Sequence, residues 1–132
     1  MDFENLFVNP RGRTARHHFV PALLVLVAVV VFYAFLVRGR TAQFCMLVLL
    51  FPAVMLHARR LHDMGRSAWL LLVPALLTVA LFAIRLGYLS LGAQIDAIAL
   101  PATLVVGAVF AIWGCVGTSD GGPNRFGAPA TA

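Results

Sequence analysis

Four apolar runs separated by short arginine-bearing segments are the feature that most constrains this chain. A bilayer core of about 30 Å needs around 20 helical residues, and residues 19–37 supply nearly that length with no charge inside it. Further runs cover 42–57, 68–84 and 97–116. The second is short and holds Pro52, but Arg38, Arg40 and Arg59, Arg60 bracket it, and snorkelling of such side chains covers a modest length mismatch. The reading is all-α: a single 132-residue domain forming an integral membrane bundle of four transmembrane helices, with a tail over 117–132. Composition agrees, since 61% hydrophobic and 11% charged residues lie far outside the soluble range of about 45–50% apolar and about 25% charged. The first run has no small-residue cleavage pattern after it, so a retained span is expected rather than a signal peptide.

Orientation follows from arginine, the only basic residue type besides histidine. Four spans put both termini on one side. That side carries Arg11, Arg13, Arg16, Arg59, Arg60, Arg66 and Arg125, against Arg38, Arg40 and Arg85 on the other. Seven against three places both termini in the cytoplasm under the positive-inside rule, with Trp69 and Trp113 at the same interface. Asp2 as an N-cap before Phe3, Leu6 and Phe7 predicts a short amino-terminal interfacial helix ending near Pro10.

Three polar segments share that side. In RRLHDMGRSAW, Arg59 to Trp69, a helix continuing to Asp63 sets Arg59 at i−4 and Arg60 at i−3 from the carboxylate, so one acid is expected to face those two guanidiniums. Gly65 suits the left-handed position after a helix end and Ser67 the N-cap of the next helix, which makes a tight hairpin. In GRTARHHF, Arg13 and Arg16 are three apart and both are expected to meet lipid headgroups. In SDGGPNRFG, turn formers surround Asn124, Arg125, Phe126 and Gly127, giving either a flexible end or a folded turn docked on the hairpin loop.

Within the fourth run, Gly107, Ala111 and Gly114 form a stripe of small residues for close helix approach. Cys45 and Cys115 fall near opposite ends of the bundle, too far apart for a disulfide.

The segments GRTAR, RRLHDMGRSAW and GPNRFG, in this order and position, resemble the motifs of the DUF805 family of small bacterial inner-membrane proteins. The resemblance runs through nearly the whole chain and implies a multi-pass bacterial inner-membrane protein; no activity or cofactor comes with it. Ala68 stands where the family usually has glycine, and Leu70 where a second aromatic is common.

Function classes divide unequally. Histidines and cysteines show no zinc spacing, His62 and Asp63 are adjacent on a helix and point about 100° apart, and no nucleophile or phosphate-loop motif is present, so no enzyme, cofactor or metal is expected. The arginines flank apolar runs without a nucleic-acid module. Transport needs ionisable groups at membrane depth, whereas Gln43, His57, Arg85 and Asp96 fall at or near predicted ends. The expectation is therefore a non-enzymatic accessory or scaffold protein. Its basic rim of Arg13, Arg16, Arg59, Arg60, His62, Asp63, Arg66, Asn124 and Arg125 would bind an anionic phospholipid, a membrane-protein partner or a second copy, with Gly65, Ser67, Trp69 and Gly127 shaping it. The alternative is a subunit of an oligomeric small-solute or ion transporter. Cysteine labelling should place Asp2, Ser67 and Asn124 in the cytoplasm and Arg40 and Gly92 outside; outside labelling of Asn124 with Asp2 protected means an odd number of spans.

Overall fold

The computed structural model describes residues 12–119 and 121–127. Four helices are long and apolar enough to cross a membrane: α1 (Arg16–Val37), α2 (Gly39–Asp63), α3 (Ala68–Arg85) and α4 (Ala93–Val116). The second run is thus a full 25-residue helix, and every helix extends beyond the apolar stretch that marks it by including its polar flanks. The expected interfacial helix lies outside the described residues.

Local chemistry explains the irregularities. Pro52 has no N–H to donate and its ring crowds the carbonyl of Val48, and α2 correspondingly breaks at Leu49 into Gly39–Val48 and Leu50–Asp63. The last turn of α1, Tyr33–Val37, widens to a π turn closed by Arg38 N–H on the Tyr33 carbonyl at 2.9 Å. α3 opens with a tight 3₁₀ turn, Ala68–Leu71, where the Ser67 hydroxyl accepts from the Trp69 N–H at 3.3 Å, as expected of an N-cap. Gly65 adopts φ 76° at the end of α2, the left-handed conformation predicted for it.

α2 and α4 touch across the middle of the bundle, while α1 and α3 lie on either side, each packed on both of them. The described segments before α1 and after α4 and the α2–α3 hairpin meet at one end, which we call the motif end. The interior is concentrated there: Phe19, Ala22, Leu26 and Leu56 form one buried cluster, and Ala58, Leu61, Met64 and Leu71 another, against Phe110 and Trp113. The outer faces are apolar instead, with Leu24, Leu36, Val48, Leu76, Leu104 and Ile112 all exposed. Burying so wide an apolar surface requires hydrocarbon, and the arrangement fits a membrane protein.

The small-residue stripe of α4 divides. A Cβ on Gly114 would lie 2.6 Å from the Phe19 ring, whereas one on Gly107 meets nothing within 4 Å. Gly114 is therefore a packing site between α4 and α1. Gly114→Ala should lower detergent stability by about 1–3 kcal/mol through overpacking, with Gly107→Ala close to neutral; equal melting temperatures for the two variants would remove this contact from the core.

A buried carboxylate node at the motif end

Asp63 ends α2, where the carbonyl end of the helix dipole disfavours negative charge. It is nevertheless 1% exposed, as is Arg60, and both are among the largest fully buried side chains. Two guanidiniums hold it. Arg60 Nη1 donates to Oδ2 at 2.7 Å, and Arg13 Nε donates to Oδ1 at 3.0 Å. The Ser119 hydroxyl is a close donor to Oδ2 as well. One carboxylate thereby joins the segment before α1, the end of α2 and the segment after α4.

The second guanidinium is thus Arg13 and not Arg59, a correction to the expectation from helical spacing. Arg59 turns outward along the amino-terminal segment: its Nε donates to the Thr14 hydroxyl at 2.9 Å and its Nη2 to the Arg13 carbonyl at 3.2 Å, while Thr14 N–H donates to the Arg59 carbonyl at 3.1 Å. This lacing needs Gly12, whose φ is 93° and on which a Cβ would sit 3.1 Å from the Arg59 guanidinium. Arg13 is correspondingly buried rather than placed among headgroups, because its donors are directed into the protein. Arg16 remains exposed.

The same arginines cap helix ends. The last carbonyls of an α-helix have no partner within it. Arg60 Nε donates to the Gly114 carbonyl at 2.7 Å and Nη2 to Gly117 at 2.6 Å, Arg16 Nη2 reaches Gly117 at 3.0 Å, and Arg13 Nη2 reaches the Asp63 carbonyl at 3.3 Å. Gly117 must be small here, since a Cβ would collide with Met64 Sδ and approach the Trp113 carbonyl at 2.7 Å.

The tail docks as the folded-turn expectation held. Arg13 Nη1 donates to the Gly122 carbonyl at 2.9 Å and to Gly127 at 3.3 Å. Asn124 and Gly127 exchange backbone hydrogen bonds at 3.1 and 3.0 Å, and Asn124 Oδ1 accepts from Phe126 N–H at 2.9 Å, closing a compact turn. Asn124 Nδ2 donates to the His62 carbonyl at 3.0 Å, and the Phe126 ring stacks on the His62 ring at 4.0 Å and 10°. His62 Nδ1 meets the Gly12 carbonyl at 3.1 Å.

All three motifs noted in the sequence thus meet in one network, and the family model described as "Protein of unknown function (DUF805)" matches residues 7–128. The chain belongs to the DUF805 family. Comparison with curated proteins and with solved structures finds no match. In this DUF805 chain the node uses Arg13, Arg60 and Asp63, the tail clasp uses Asn124, Phe126 and Gly127, and Arg16, Arg66 and Arg125 stay on the surface. Gly114 and Gly117 contribute through carbonyls, which no side-chain pattern reveals, and Ser119 through a hydroxyl 56 residues away from Asp63 in sequence. Among the described residues no His, Cys, Asp or Glu group is arranged to hold a metal ion, and Cys45 and Cys115 are free thiols.

Removing one partner from a buried ion cluster leaves uncompensated charge, at a cost of about 3–5 kcal/mol. Asp63→Asn should therefore strongly destabilise the protein in detergent, far more than Asp2→Asn. Arg60→Lys should also be damaging, because a single ammonium cannot reach carboxylate, hydroxyl and two carbonyls at once. Indistinguishable melting curves for Asp63→Asn and Asp2→Asn would show that the node is not holding the bundle together.

Proposed function

We propose that this chain is a non-enzymatic, multi-pass protein of the bacterial inner membrane, both termini cytoplasmic, whose motif end is a rigid platform that binds anionic phospholipid headgroups. The observation that carries this reading is the division of labour among the arginines. Arg13 and Arg60 are buried in the Asp63 node, whereas Arg16, Arg66 and Arg125 remain exposed around it. A basic rim beside an anionic leaflet gains roughly 1 kcal/mol per arginine. Trp69, 77% exposed and three residues beyond Arg66, supplies the amphipathic ring that favours headgroup depth.

The accessory reading is preferred over a transport subunit because Thr78, Thr103 and His57, polar groups along the spans, each bond to a carbonyl of their own helix, Thr103 also lying 3.4 Å from the Leu77 carbonyl of α3. Thr78 donates to the Pro74 carbonyl at 2.7 Å and Thr103 to Ala99 at 2.7 Å, while His57 Nδ1 lies 2.8 Å from the Ala53 carbonyl and its ring meets Phe19 edge-on. A transport path asks for ionisable side chains turned toward a shared cavity.

Native mass spectrometry of the wild-type chain released from nanodiscs tests the reading. Phosphatidylglycerol should be retained in preference to phosphatidylcholine, with the preference surviving moderate salt. Equal retention of both lipids would overturn it and leave the motif end with a structural or protein-docking role.

A further inference from the structure

The carbonyl oxygen of His62 accepts two hydrogen bonds, from Gly65 N–H at 3.1 Å and from Asn124 Nδ2 at 3.0 Å. The hairpin loop and the tail therefore meet on a single atom. The next residue along each segment is an exposed arginine, Arg66 and Arg125. Neither takes part in an ion pair among the described residues, in contrast to Arg13 and Arg60. The Arg125 guanidinium rests 4.7 Å from the centroid of the Phe126 ring, which is itself stacked on His62. A planar guanidinium on an aromatic shelf keeps its edge donors available for an oxygen ligand.

From this juxtaposition we infer that Arg66 and Arg125 form a two-guanidinium subsite for a phosphodiester, the tail turn being what brings the second guanidinium to the first. The inference rests on the anionic-headgroup reading above and assigns it to particular residues. A phosphodiester has two non-bridging oxygens that share one negative charge, and each guanidinium fork offers paired N–H donors to such oxygens. Trp69, exposed in the first turn of α3 three residues beyond Arg66, favours headgroup depth for that end of the hairpin. Asn124 is then a positioning residue: it carries no charge and acts by fixing Arg125.

Asn124→Ala provides the test, because it leaves every arginine, and hence the net charge, unchanged. Lipid retention by native mass spectrometry from mixed phosphatidylglycerol and phosphatidylcholine nanodiscs is compared for wild type, Asn124→Ala and the paired Arg66→Lys, Arg125→Lys variant, with melting temperatures recorded for each. The wild type should prefer phosphatidylglycerol, and each variant should lose that preference by about five- to tenfold, the scale of one lost hydrogen bond to the phosphate. If Asn124→Ala does not fold, the paired lysine variant, which keeps the tail contacts, decides the matter alone. Variants that retain phosphatidylglycerol as the wild type does would overturn the subsite while leaving the headgroup reading intact; a wild type with no preference would overturn both. Competition with sn-glycerol 3-phosphate separates the sources of the group. Displacement assigns the subsite to phosphate as such and resistance assigns it to the bilayer lipid, and either result supports a phosphate site at Arg66 and Arg125.

Discussion

A single buried carboxylate organises the motif end. Removing a carboxylate from water costs several kcal/mol, and the cost is offset only if its lone pairs are filled by well-placed donors. Asp63 meets that condition with Arg13, Arg60 and Ser119, which come from three separate parts of the chain. The guanidiniums in turn need acceptors, and they find them in the carbonyls of Gly114, Gly117, Gly122 and Gly127. α2 and α4 both finish at this end, each contributing roughly half a negative charge from its dipole. The excess of arginine over acid in the interior is thus matched by helix ends.

The same device recurs at the other end of the bundle. Arg38 Nε donates to the Phe35 carbonyl at 3.0 Å at the finish of α1, and Arg40 Nη1 donates to Leu86 at 2.7 Å just after α3, with Arg40 also 3.3 Å from the Tyr88 hydroxyl. Asp96 works in the opposite sense in the first turn of α4, accepting from Leu91 N–H and Ser90 at 3.0 Å each. Each of the four helices therefore finishes with an arginine side chain on or beside its terminal carbonyls. Where water is scarce, a long cation that carries several donors is suited to this position. The arginines that set the expected orientation also do the capping.

Sequence reasoning was informative wherever the determinant is local. Four spans, the Gly65 turn, the Ser67 cap and the helical hairpin all follow from a few neighbouring residues. The partners of Asp63 were only half legible. Helical spacing ranks Arg59 and Arg60 as its neighbours, but it carries no signal for Arg13, which lies 50 residues earlier and reaches Asp63 only because α1 packs beside α2. Arg59 is diverted for the same reason, since the amino-terminal segment brings Thr14 against it. α2 runs past its apolar stretch because Arg60 and Asp63 pair with each other inside its last turn, whereas α1 begins earlier than its apolar stretch, at the exposed Arg16. The docking of the tail turn on the hairpin was foreshadowed by their motifs, but it depends on a carbonyl, that of His62, which no pattern of side chains marks.

The geometry of the clasp also dictates an order of assembly. Arg13 precedes α1, whereas Gly122 and Gly127 follow α4, and a span of 109 residues separates the first of these contacts. During synthesis the hairpin of α1 and α2 is able to form the Arg13–Asp63–Arg60 cluster early, since all its members lie before α3. Ser119 and the tail turn arrive only after the last helix has been made, so the motif end stays open to water until then. A chain whose fourth helix fails to insert would lack the Ser119 hydroxyl and the Gly114 and Gly117 carbonyls at the node, and would keep that polar interior uncovered.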